Sequence, residues 1–264
     1  MKTKTFSVYV TALLILQCIM YNAAAETNQT DLQELLVNKG WDKGVAIVTK
    51  DGIYGTGWWV SKDVMITAAH VVEYKYKTVD IIHGSYHSTG KVIHIDKRRD
   101  IAVIKVNKPM NCAFIFKLAK KIRKTETIYV IGYPYELVQI QSDVKKLSAN
   151  PRIAKGTISW IDIDHGIAEI TAHTDAGNSG GPVVNQDGEV VGLVTFAIIG
   201  RAATLYFITI SPEVQEVLNK AGVEYKQELG VSYDTKQTIK YSLIGAGFAV
   251  FILVLFGRVI LRRS

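Results

Sequence analysis

The sequence predicts an all-β fold of barrels or sandwiches, on three observations. About a dozen short runs are dense in β-branched and aromatic residues, as strands are. Turn signals such as Asp51-Gly52, Ser61-Lys62-Asp63 and Asp187-Gly188 fall between them. No long helical pattern interrupts the series, which argues against alternating α/β units.

Taken in order, residues 1–25 read as a secretory signal peptide. Lys2 and Lys4 precede an apolar core, and Ala23, Ala24 and Ala25 offer a cleavage site before Glu26. Residues 31–37 form a short amphipathic helix capped by Thr30 or Asp31. The strand runs follow as GVAIVTK, IYGTGWWV, VMITAAHVV, TVDIIH, GKVIHI, IAVIKV, TIYVIGY, IAKGTISWI, IAEITAH, GPVVN, EVVGLVTFAI and LYFITI. A helix over residues 211–221 closes the domain, with Ser211 at the N-cap, Pro212 at the first helical position and Gly222 past its end. Residues 223–239 are polar and read as a stalk. The uncharged run from Tyr241 to Gly257 lies within residues 240–261, enough helix to cross a bilayer core about 30 Å thick. Arg258, Arg262 and Arg263 then assign the 262–264 tail to the cytoplasm, and the domain over 26–222 to the outside.

The net charge of +7 belongs mostly to the ends. Without the two leader lysines and the three tail arginines, 26 basic residues face 24 acidic ones, and nothing favours a nucleic-acid partner. The local run Lys117, Lys120, Lys121, Arg123 and Lys124 reads as a solvated face. Cys18 lies in the leader, so Cys112 is alone in the mature domain and no intramolecular disulfide can form. Stability must come from a core. Asn28-Gln29-Thr30 is a glycosylation acceptor triplet.

Chemistry is suggested by TDAGNSGGP, residues 174–182, where glycines surround Ser179. A nucleophilic serine needs a base, a group to orient that base, and donors for the oxyanion. Of the six histidines, His83 and His87 flank a Gly-Ser turn without a metal-ligand pattern, His94 alternates with apolar neighbours, and His165 sits in a turn. His70 differs, because it ends a strand behind the small residues Ala68 and Ala69.

The stretch GTGWWVSKDVMITAAH, ending in His70, resembles the histidine motif of trypsin-like (chymotrypsin-fold) serine proteases. RRDIAVIKV, in which Asp100 opens a strand, is similar to their aspartate motif, and GNSGGPVV to their nucleophile loop. The order His70, Asp100, Ser179, its intervals of 30 and 79 residues, and the stretches ETIYVIGYP and AKGTISWI resemble the HtrA-type branch most, over residues 44–218. That resemblance implies two six-stranded antiparallel β-barrels and a C-terminal helix.

It also implies roles. Ser179 would attack the scissile carbonyl, His70 would act as base and then acid, and Asp100 would orient the imidazole. The N–H groups of Gly177 and Ser179 would form the oxyanion hole. Thr195 would lie near the triad aspartate, and the stretch Thr195, Phe196, Ala197 would pair with an extended substrate. His173 would sit at the base of the side-chain pocket, and the apolar walls Val194, Phe196 and Ala197, with no acidic residue evident, imply small or medium aliphatic residues on the acyl side of the cleaved bond. No metal or cofactor is expected.

Two features depart from the pattern. Asn178 stands where digestive trypsin-like enzymes have the aspartate that binds a freed N-terminus, and no room remains before the apolar run for a PDZ module of about 90 residues. The reading is therefore a membrane-anchored serine endopeptidase acting on extracytoplasmic polypeptides, with oligomerisation left open. The alternative is a catalytically inactive protease-fold protein that binds peptides at the membrane, which would be expected to have lost one of the motifs.

Overall fold

A computed structural model of the chain describes residues 31–73, 77–111, 113–135, 143–201 and 203–227. The leader, the apolar run, its tail, most of the stalk and Cys112 lie outside the described residues.

The first barrel is built from β1 (Val45–Lys50), β2 (Ile53–Trp59), β3 (Val64–Ala68), β4 (Thr78–His83), β5 (Tyr86–Asp96) and β6 (Ile101–Val106). These close in the order β1-β2-β3-β6-β5-β4, with every neighbouring pair antiparallel. Asp51 and Gly52 both take positive φ, and the tight turn they make sets Lys50 opposite Ile53. Alternation along β4 sends Val79 and Ile81 inward, where they meet a core that holds Trp58, Met65, Ile66 and Ile104.

The second barrel uses β8 (Thr127–Gly132), β9 (Arg152–Asp162), β10 (Ile167–Ile170), β11 (Pro182–Asn185), β12 (Glu189–Ile199) and β13 (Thr204–Ile210). Its order is β11-β8-β9-β10-β13-β12, and pairing of β11 with β12 closes the ring. Two strands of two residues each, β7 (Lys117–Leu118) and β14 (Lys226–Gln227), add in parallel beside the start of β12. Strand β14 falls in the segment read from sequence as stalk. The run IAEITAH stays in the sheet only as far as Ile170, which frees His173 for the loop beyond.

Among the described residues three α-helices accompany the barrels: α1 (residues 31–38), α2 (Val144–Ser148) and α3 (Ser211–Lys220). Asp143 caps α2 by accepting from the N–H groups of Lys145 and Lys146. The start of α3 corrects the sequence reading. Ile210 is the N-cap and Ser211 already helical, because the Ser211 hydroxyl is drawn away to donate to the carbonyl of Ala119. The spacing of Val214, Val217 and Leu218 puts all three on the buried face. Among the described residues no helix is long and apolar enough to cross a membrane.

Candidate active site

Strand register delivers the first two candidate residues. Pairing of β3 with β6 sets Ala68 opposite Ile101, so the chain leaving β3 faces the chain entering β6. His70 sits in the 3-10 turn Ala69–Val72 directly after β3, and Asp100 is the residue before β6. The N–H of Ala69 donates to Asp100 O at 3.0 Å, and the N–H of His70 donates to Asp100 Oδ1 at 2.9 Å. The second carboxylate oxygen, Oδ2, lies 2.7 Å from His70 Nδ1.

This arrangement settles the tautomer. A carboxylate only accepts, so Nδ1 carries the proton, and in the neutral imidazole the lone pair is then on Nε2. Asp100 adopts φ of 54°, a left-handed conformation that aspartate tolerates better than most residues. Behind it, the Thr209 hydroxyl of β13 donates to Arg99 O at 2.8 Å and fixes the approach to Asp100 from the second barrel.

Ser179 lies in the loop between β10 and β11. Gly180 of that loop has φ of 83°, and a Cβ there would fall 2.3 Å from Thr56 O and 2.5 Å from Ala68 N. The loop is thus packed on β2 and on the end of β3, two residues before His70. Gly177 has φ of 92°, and a Cβ would meet Tyr133 O at 2.2 Å. Only glycine fits either position.

Two further bonds orient the peptides on either side. Ala176 O accepts from Tyr135 N at 2.6 Å, and Asn178 O accepts from Gly181 N at 2.8 Å. In a trans peptide the N–H points opposite to the carbonyl, so these bonds fix the directions of the Gly177 and Ser179 N–H groups. Among the described residues neither N–H donates to another backbone carbonyl.

Thr56 was not singled out by the sequence reading, yet it holds the serine loop from several directions. It is fully buried; its N–H donates to Ser179 O at 2.9 Å and its hydroxyl to Gly177 O at 2.8 Å. The same hydroxyl accepts from Tyr133 N at 3.1 Å, and Thr56 O accepts from the Thr67 hydroxyl at 2.8 Å. Its only sequence signal is its place in the Gly-Thr-Gly stretch, since its partner Gly177 is 121 residues away.

The other expected residues fall as follows. Thr195 is buried, and its hydroxyl donates to Phe207 O at 3.2 Å. Phe196 stacks on Phe207 with ring centroids 4.9 Å apart, and Ala197 pairs with Tyr206. The imidazole of His173 contacts Asp175 and Tyr206. Asn178 is buried against a cavity of about 300 Å³ between the serine loop and strands β8 and β9. His83 and His87 diverge: His83 Nδ1 is 3.4 Å from the Tyr133 hydroxyl, and His87 Nε2 is 3.4 Å from Asp80.

Two closed antiparallel barrels, with a bonded His–Asp pair on one and a glycine-flanked serine loop docked against it from the other, define the chymotrypsin-like class of proteins. The model of the trypsin-like peptidase domain matches residues 55–193, and the chain belongs to that family. Among curated relatives, a probable periplasmic serine endoprotease DegP-like of Chlamydia muridarum is 33% identical over 153 residues, covering 57% of this chain and 30% of the relative. Serine protease HTRA1B of Danio rerio is 30% identical over 193 residues, covering 70% and 37%. The chain therefore spans about a third of the length of these HtrA-type relatives.

Solved structures agree on the fold. The active form of the Rv3671c protease from M. tuberculosis is 24% identical, covering 72% of this chain and 86% of that one, with a TM-score of 0.55. The serine endoprotease from Yersinia pestis is 21% identical, covering 68% and 63%, with a TM-score of 0.57.

Proposed function

We propose that the chain is a serine endopeptidase that hydrolyses polypeptides outside the cytoplasm through a triad of Ser179, His70 and Asp100. The observation that carries this reading is the two-point bond from Asp100 to His70, made on the strand end against which the Ser179 loop is packed. With Nδ1 protonated, His70 Nε2 is the site that can take the proton of the Ser179 hydroxyl as its oxygen attacks the carbonyl carbon. The developing oxyanion is held by the N–H groups of Gly177 and Ser179, whose neighbouring carbonyls are already engaged. His70 returns the proton to the leaving amine, and an acyl-enzyme remains on Ser179. Water, deprotonated by the same imidazole, then attacks the ester and frees the acid and Ser179.

The polypeptide is read as adding to β12 along Thr195, Phe196 and Ala197. For the whole chain, the reading comprises a signal peptide over 1–25, a protease domain from residue 26 that continues past 222 through β14 to Gln227, a stalk over 228–239, a membrane span over 240–261 and a short cytoplasmic tail. It is supported by the composition of both ends and by relatives named as periplasmic.

A fluorophosphonate probe tests the chemistry. Labelling of the folded wild type that disappears in Ser179→Ala is the expected result. A folded chain that takes no label would leave only the peptide-binding alternative.

A further inference from the structure

Beyond Val194, strand β12 has β13 as its only strand partner among the described residues, and the hairpin register sets Phe196 opposite Phe207 and Ala197 opposite Tyr206. Successive pairs in a hairpin point to opposite faces. The stacked rings of Phe196 and Phe207 occupy one face. On the other, the Tyr206 hydroxyl lies 2.6 Å from His173 Nδ1, with the two rings edge-on and 5.2 Å apart. His173 Nε2 in turn contacts Asp175 Oδ1 at 2.8 Å. The carboxylate keeps a proton on Nε2, so Nδ1 accepts from the phenol. Burial and the Asp175 charge push the phenol above its usual value, which keeps it a donor.

The contact joins two different walls. One is the β12–β13 face bearing Ala197 and Tyr206; the other is His173 with the five residues, 174–178, that separate it from Ser179. That segment has little freedom to move aside. Its Ala176 carbonyl is bound by Tyr135 N, and Gly177 is wedged against Tyr133 O. A substrate strand added to β12 would alternate its side chains as the hairpin does, and on the serine-protease reading the residue that presents its carbonyl to Ser179 would direct its side chain between these walls.

We propose that Tyr206, tied to His173 and Asp175, bridges this cleft and restricts cleavage to bonds that follow small residues such as Gly, Ala or Ser. The inference rests on the serine-protease reading above and narrows it. His173, which with Asp175 also lines the cavity beside Asn178, is the anchor of the bridge. Its side chain stays 68% exposed. Tyr206 is the specificity-determining residue.

Peptides identical except for Ala, Leu or Phe on the acyl side of the cleaved bond provide the test, with fluorophosphonate labelling of the same preparations. The wild type is expected to favour Ala over Leu and Phe by at least about tenfold in kcat/KM, the scale on which a pocket discriminates by size. Tyr206→Gly is expected to raise kcat/KM for Leu and Phe, and Tyr206→Phe, which keeps the ring, to retain the preference for Ala. A wild type that labels but cleaves after Leu or Phe as readily as after Ala overturns the inference whether or not the variants fold. So does a Tyr206→Gly chain that labels and keeps the wild-type ranking. Absence of labelling in the folded wild type would instead remove the triad reading, and this inference with it.

Discussion

Thr56 shows how much a single buried hydroxyl can be asked to do. It donates to Gly177 O and accepts from Tyr133 N, so it holds the carbonyl side of the residue read as an oxyanion donor. Thr56→Val keeps the shape and removes both bonds, leaving two buried polar groups unpaired at about 1–3 kcal/mol each. We expect a lower Tm, and also a fall in kcat with KM little changed, towards the roughly 100-fold loss seen when one oxyanion donor goes. Thr56→Ser restores the hydroxyl and should recover most of kcat. A Val variant that loses only Tm would make Thr56 merely structural. At this scale the sequence is informative where a residue's job is local. Ser179 and its glycines are contiguous and legible as a unit, whereas Thr56–Gly177 and Tyr206–His173 bring together residues 121 and 33 positions apart. No local pattern records such contacts.

Among the elements, α3 reaches back to the loop that carries Asp100. The Arg99 guanidinium contacts Asp96 at 3.0 Å and bonds to Glu213 and Glu216 on the helix. Burial alone would raise the Asp96 carboxyl, but the Arg99 N–H and guanidinium outweigh it and leave it below the ordinary value. Lys220, with Arg99, lowers Glu216 likewise. A carboxyl depressed in the folded state contributes stability above its unfolded pKa and loses it as pH falls through the folded value. The Tm of the wild type should therefore drop below about pH 4, where such groups titrate. Arg99→Gln should lower Tm at neutral pH and flatten that acid limb, with a loss of kcat through Asp100. An acid limb of the same steepness in the variant would mean that the cluster is not responsible. The strands themselves were readable because each long run has the composition of a sheet, and all twelve runs contribute a strand. The two-residue strands β7 and β14 were not, since strands so short have no periodicity: β7 adds to the edge of β12, and β14 to the edge of β7. The start of α3 was misread for a similar reason: the pull on Ser211 comes from Ala119, 92 residues away.

For the whole molecule, the proposed chemistry depends on two barrels holding one another in place. His70 and Asp100 belong to the first, Ser179 to the second, and the bonds Thr56 N to Ser179 O, Thr209 to Arg99 O and Tyr133 hydroxyl to Val45 O cross between them. The barrels could be foreseen because three motifs in order resemble a family with that fold; their mutual register could not, because buried cross-barrel bonds carry no composition signal. The compact unit ends at Gln227, where β14 still pairs with β7. If residues 240–261 span a membrane, the twelve residues 228–239 tether the domain, with a reach of at most about 43 Å when fully extended. Truncation after Gln227 should then release a domain that labels at Ser179 and hydrolyses small peptides with the same kcat/KM, while the full chain sediments with membranes and resists carbonate extraction. Truncation after Gly222 removes β14 as well and should lower Tm, because the edge of β7 loses its partner. A full-length chain that is extracted as readily as the Gln227 form would remove the membrane span from the proposal and leave the protease reading standing on the labelling alone.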